Sequence, residues 1–143
     1  VTRRFLYPVT DDPPACDIAA LDDRINRFNA DRSGIDDASF LSIMLRATDG
    51  ELYAGVHGHS WGGYCEIRSL WVAEDRRGQG LGSALLDAAE QEALRRGCDR
   101  IILSTHSFQA PGFYDRHGFR VVADIPDCPR GYSHLVLVKY IGR

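Results

Sequence analysis

The sequence predicts an α/β fold with six to seven strands, and three observations carry that prediction. Strand-like and helical apolar periods alternate in the order β-α-β-β-β-α-β-α-β-β. A strand-like apolar run over residues 67–72 passes through a glycine-rich turn into a helical stripe of Leu81, Leu85, Ala88 and Ala89, flanked by Ala84 and Leu86. At 143 residues the chain suits one domain spanning 1–143, large enough to bury a substantial core.

Taken in order, residues 3–9 read as a first strand, ended by Asp11-Asp12-Pro13-Pro14. Ile18, Leu21, Ile25 and Phe28 recur at helical spacing before residues 29–37 loop out, and this N-terminal helical region can split in two. Residues 40–47 are strand-like, and Asp49-Gly50 suits a tight hairpin turn into a strand over 51–56. A glycine-rich, aromatic link over 58–64 leads to the strand 65–72 and then to the turn and its helix. Arg95 and Arg96 in the last turn, with Gly97 behind them, close that helix well. A strand over 100–105, a short helix over 111–117, a strand over 119–124 and a last strand over 133–140 complete the chain.

The turn carries chemistry. Arg77, Gly78, Gln79, Gly80, Leu81, Gly82 and Ser83 join a strand to a helix start, where free backbone N–H groups and the helix dipole attract an anion. Glycines let the backbone approach a pyrophosphate closely. A P-loop would need Lys-Ser or Lys-Thr where Leu81-Gly82-Ser83 stands, and the even spacing of Gly78, Gly80 and Gly82 departs from the dinucleotide pattern. The competing reading is a plain strand-to-helix turn.

What fits is Arg77-x-x-Gly80-x-Gly82, which resembles the signature of the GNAT superfamily of acetyl-CoA-dependent N-acetyltransferases. A second stretch supports the resemblance: Ala110, Phe113, Tyr114, Gly118 and Phe119 fall in register with the family's penultimate helix and following strand. The position where the family usually has Asn is Ser107, and Gln109 is the alternative donor to the pantetheine arm. The chain is thus identified as a member of that superfamily, in its bacterial small-molecule branch. The resemblance implies a mixed central sheet of six to seven strands, splayed open in its middle to admit the cofactor, with helices on both faces. It also implies acetyl-CoA as acyl donor without a metal, and an amine acceptor attacking directly in a ternary complex.

Resemblance further implies site residues. The pyrophosphate would lie on residues 77–83. A bulge in the preceding strand would free main-chain groups at Leu70, Trp71 and Val72 for the pantetheine arm and the acetyl group. Ser107, Gln109 and Phe113 would complete the cofactor contacts. Tyr114 would protonate the leaving thiolate, a task that suits a phenol because it donates while neutral. Glu66, eleven residues before Arg77, stands where catalytic glutamates of the family occur. Period-two alternation puts it on one face with Arg68, Leu70 and Val72, where it could deprotonate the acceptor ammonium; pairing with Arg68 is the alternative. His106 is an auxiliary-base candidate, and Trp61, Tyr64, Tyr132 and His134 are candidates for the acceptor pocket or for core packing.

Composition bounds the rest. Four separated cysteines without a Cys-x-x-Cys pair argue against a zinc ribbon and suit free thiols in the cytoplasm. His57-x-His59 offers only two ligands, too few for a zinc site. No run reaches membrane-span length, and no secretory signal opens the sequence. Residues 1–66 carry eleven acidic and six basic side chains, against nine and eleven in residues 67–143. That balance disfavours nucleic acid and would draw a cationic acceptor to the N-terminal half, unless the acidic surface is simply solvated. A small-molecule primary amine is the expected acceptor. A peptide or protein amine, and a non-catalytic acyl-CoA sensor, are the alternatives, and pairing of two copies through sheet edges is open.

Overall fold

A computed structural model describes residues 7–142, which divide between Asp36 and Asp37 into two units. In the first unit a single helix α1 (Ala15–Ser33) replaces the shorter or divided helix expected over 18–28. It runs on because nothing between Asn29 and Ser33 breaks it, and it stops where Gly34 turns left-handed (φ 73°) and donates its N–H to the Ala30 carbonyl at 2.9 Å. Of the strand expected over 3–9, residues 3–6 lie outside the described residues, and residues 7–9 are in no strand.

The second unit holds a six-stranded mixed sheet. Its elements are β1 (Ser39–Arg46), β2 (Leu52–Trp61), β3 (Tyr64–Val72), α2 (Leu81–Arg95), β4 (Arg100–His106), α3 (Pro111–Arg116), β5 (Arg120–Pro126) and β6 (Ser133–Tyr140). The sheet order is β1-β2-β3-β4-β6-β5, antiparallel throughout except between β3 and β4. Asp49-Gly50 makes the expected turn, with the Asp49 carboxylate accepting the Glu51 N–H at 2.9 Å. The link expected over 58–64 is instead the second half of β2 plus a tight turn at Gly62-Gly63, both with positive φ. Gly58 lies inside the strand because its neighbour comes too close for a side chain. A Cβ there would run into the Glu66 carbonyl oxygen.

That close approach marks a β-bulge. His57 pairs with Ser69 and Gly58 with Ile67, leaving Arg68 as an extra residue on β3. The extra residue shifts the alternation. Leu70 and Val72 lie on the same face as Cys65 and Ile67, opposite Val56 and Ala54. Glu66 therefore shares its face with Ser69 and Trp71, not with Leu70 and Val72 as strict period two predicts.

One face of the sheet, with Ala54, Val56, Cys65, Ile67, Ile101, Leu103 and Leu137 pointing from it, packs against α2 to form the core. The helix contributes Leu85, Leu86, Ala89 and Ala93, so Leu86 is central to the stripe rather than flanking it, and Ala84 is exposed. Full burial of such a leucine contributes roughly 1.5–3 kcal/mol. Lys139, the chain's single lysine, reaches from β6 to Glu90 of α2 at 2.6 Å and ties the helix to the sheet. All four cysteines are free thiols, and burial pushes the Cys65 thiol up to about 11. Among the described residues no helix is long and apolar enough to cross a membrane.

Candidate active site

The site begins where β3 and β4 part. Their parallel ladder joins residues 64–67 to residues 100–103 and ends at Ile67↔Leu103. Beyond it Ser69–Val72 pair only with β2, and Ser104–His106 only with β6. The bulge at Arg68 falls at this fork and bends β3 away, and the strands enclose a slot through the sheet. Both banks line one cavity of about 700 Å³: Arg68, Ser69, Leu70, Trp71 and Val72 on one side, Ser104 and Thr105 on the other. The splayed middle expected of the sheet is present.

The cavity continues onto the glycine turn. Arg77, Gly78, Gly80, Leu81, Gly82 and Ser83 line it. Gly80 caps α2 with φ 80°, and Gly78 has φ 75°. A Cβ at either would meet nothing within 4 Å, so the backbone there faces open space, as an anion cradle requires. Gly82 differs from both, since a Cβ there would make an ordinary contact with the Phe113 ring at 3.5 Å. The Arg77 guanidinium donates through Nε to the Val72 carbonyl at 3.0 Å, holding the end of β3 to the turn. Arg76, Arg68 and Arg116 also line the cavity. Arg76 stacks over Tyr53 at 4.2 Å. The sequence assigns none of these three cations to the cofactor site, naming Arg68 only as a neighbour of Glu66; the Arg76-Arg77 doublet before the glycines is the available signal for one of them.

The matching family covers most of the chain. Residues 7–119 match the Acetyltransferase (GNAT) family. The chain belongs to this family. It is 45% identical over 91 residues to a blasticidin-S acetyltransferase from Streptomyces morookaense, covering 63% of this chain and 67% of that protein. It is 33% identical over 120 residues to an acetyltransferase from Agrobacterium fabrum, covering 84% and 88% respectively. The crystal structure of an acetyltransferase from Bacillus cereus superposes with a TM-score of 0.74 at 28% identity, covering 94% of this chain and 98% of that one. The chain is an acetyltransferase by every one of these comparisons.

In this GNAT chain Tyr114 and Phe113 enter the cavity from α3. The Tyr114 ring is held edge-on by Phe113 at 5.2 Å and Phe119 at 5.8 Å, and burial pushes its phenol above the ordinary range. Gln109 also lines the cavity. Its carbonyl oxygen accepts from the Thr105 hydroxyl at 3.0 Å and from the His106 N–H at 2.8 Å, which leaves the amide NH₂ as its donor group. Ser107 is outside the cavity lining. Its hydroxyl accepts the Ser133 N–H at 2.9 Å, stitching the end of β4 to β6. Gln79 is also outside the lining.

Glu66 stands on the face of the sheet opposite α2, one residue before the fork. His59 lies across from it on β2, with Nε2 4.0 Å from Glu66 Oε2. The other ring nitrogen of His59 is buried without a hydrogen-bond partner, a cost of roughly 1–3 kcal/mol for a fold that gains nothing visible from it. Burial, then Arg68, hold His59 below the usual histidine range, although Glu66 pulls the other way. On the far bank of the slot the rings of His106, Phe108, Tyr132 and His134 form a chain, with His106 stacked on Phe108 at 5.3 Å and edge-on to His134 at 5.1 Å. Trp61 and Tyr64 sit apart from that chain, edge-on to each other at the β2–β3 turn. Among the described residues no cluster of three or more His, Cys, Asp or Glu could hold a metal ion.

Conformation alone makes Gly80 testable. Gly80→Ala forces a left-handed φ on a side-chain residue, costing roughly 1–2 kcal/mol, and puts a methyl group in the cradle. Titration calorimetry with CoA should show at least about tenfold weaker binding, equivalent to about 1.4 kcal/mol. Gly82→Ala, which meets Phe113 only at ordinary contact distance, should bind more nearly as the parent does.

Proposed function

We propose that this acetyltransferase moves the acetyl group of acetyl-CoA onto a primary amine of a small molecule, by direct attack within a ternary complex. The observation that carries the reading is the continuity of one cavity from the glycine cradle, past Tyr114, into the slot between β3 and β4. A pyrophosphate fits backbone N–H groups from Arg77 to Ser83, including Gln79, with Arg76, Arg77 and Arg116 adding positive charge. The pantetheine arm would follow the exposed main chain of Leu70, Trp71 and Val72, with the Gln109 amide and Phe113 opposite and Ser107 holding the loop. On this reading the thioester would lie at the slot, and an acceptor would approach from the Glu66 face.

Chemistry follows from that placement. Glu66 takes a proton from the acceptor ammonium, freeing the nitrogen lone pair. A C–N bond forms at the acetyl carbon and the C–S bond breaks. Tyr114 donates its hydroxyl proton to the departing thiolate and recovers one from the N–H the adduct must lose. Main-chain N–H groups freed at the bulge stabilise the developing oxyanion. The name of the 45%-identical relative supports a small-molecule acceptor.

Free CoA release, followed with a thiol reagent across a panel of small amines, nucleoside-type amines and basic peptides, tests the reading. Release that depends on a small amine supports it. Release only with peptides would move the acceptor class, and tight CoA binding with no release would favour a sensor.

A further inference from the structure

His59 is a polar ring set into a sheet at energetic cost, and the fold makes no use of its buried nitrogen. Its free edge is aimed across the ladder at one group, the Glu66 carboxylate. We propose that His59 is a positioning residue for Glu66, sharing the proton that Glu66 takes from the acceptor ammonium. This rests on the reading of Glu66 as base given above.

The physical argument concerns proton affinity. An isolated carboxylate is a weak base toward an alkylammonium, because its proton affinity lies several pH units too low. A carboxylate coupled to an imidazole titrates as a pair, and the first proton taken up belongs to both. The proton leaves the acceptor nitrogen, bonds to Glu66 Oε, and passes to His59 Nε2. The result is an imidazolium beside a restored carboxylate, with no net charge on the pair. The Glu66 side chain is 36% exposed and so keeps the torsional freedom to close the 4.0 Å gap by about one ångström to hydrogen-bond distance.

The surroundings keep the resting imidazole neutral and ready to accept. Arg68 on β3 and His57 on β2 oppose a positive charge on His59, as burial does, while Glu66 favours it. Tyr64 on β3 presents its ring edge-on at 6.1 Å, and across the β1 ladder the partner is the uncharged Phe40. His57 is itself engaged by the Ser42 hydroxyl and is turned to β1, so the chain's other β2 histidine is not an equivalent candidate.

Two measurements decide the matter. In the first, the His59 C2–H resonance is titrated by NMR in the intact protein and in Glu66→Gln. We expect His59 to titrate below the ordinary histidine range in the parent and at least about half a pH unit lower in the variant, since the attraction of Glu66 is lost. An unmoved titration overturns the pairing. In the second, the pH dependence of kcat/KM is compared between the parent and His59→Gln. The acidic limb should move down toward the carboxylate range by one unit or more, with kcat reduced about tenfold and KM for acetyl-CoA unchanged. Superimposable profiles overturn the proposal, as does a fall in rate with an unmoved limb, which is what loss of packing alone would give. If the parent releases no CoA with any amine, the transferase reading fails, while the NMR titration still decides the pair.

Discussion

Replacing Tyr114 by phenylalanine is expected to lower kcat by about 100-fold while leaving the KM for acetyl-CoA within about twofold of the parent. The change removes one hydroxyl from a ring that stays packed between Phe113 and Phe119, so the cavity wall keeps its shape. What it removes is the group with a proton to give at the place proposed for the thioester. Burial keeps that phenol fully protonated across the neutral range, so the donor is present at every pH where the enzyme would be assayed. Steady-state kinetics with CoA release as readout, beside a thermal melt, would check it. A variant with parental kcat would remove Tyr114 from the chemistry and leave it a packing residue. A parental kcat with a raised KM would make it a cofactor contact instead.

The second large effect is structural. Gly58→Ala should destabilise the protein by about 3 kcal/mol, near the upper end for overpacking, because the obstacle is the Glu66 backbone carbonyl and not the end of a flexible side chain. For a chain of this size that corresponds to a fall in Tm on the order of 10 °C. The strands can relieve the clash only by moving apart at the bulge, which would displace Glu66 and the bank of the slot together. Loss of activity is therefore expected even below the melting transition. A thermal melt and CoA-release rates at low temperature separate the two effects, and a Tm within about 2 °C of the parent would show that the ladder yields more easily than its geometry suggests.

Much of the fold could be read from periodicity because the core face of each element carries apolar residues at the proper spacing. Leu85 and Ala89 on α2, Ile101 and Leu103 on β4, and Leu135 and Leu137 on β6 are all buried as their spacing requires. The second half of β2 was misread as a link because Gly55 and Gly58 look like turn residues. Both are glycines for want of space: a Cβ at Gly55 would stand 2.9 Å from the Ile43 carbonyl oxygen. The end of α1 was missed because Asn29 and Asp31 are poor helix formers that a continuing helix nonetheless tolerated up to Gly34.

The site was legible where backbone conformation does the work. Gly78, Gly80 and the helix start can be found by spacing alone, since few other residues could occupy those φ values. Glu66 is singled out by the family resemblance, but strict period two puts it on the wrong face, and the reason is present in the sequence. Cys65, Ile67, Leu70 and Val72 are spaced two, three and two apart. The step of three is the phase break that marks the bulge. The partnership with His59 had no such signal, because cross-strand neighbours depend on a register set by the Gly62-Gly63 turn.

Arg68 has a consequence beyond its side chain. Without it, β3 would read Cys65, Glu66, Ile67, Ser69, Leu70, Trp71, Val72, an unbroken alternation in which Cys65, Ile67, Leu70 and Val72 face α2, Trp71 stays on the Glu66 face, and each existing cross-strand partnership survives. The chain thus sits one deletion away from a more regular β-sheet. Such a sheet would be favoured by any selection acting on folding alone. It would also remove the bend at which β3 leaves β4, and with it the opening. Holding one surplus residue at this place is therefore a trade of regularity for reactivity, and stabilising this protein by consensus or design would have to leave that irregularity untouched.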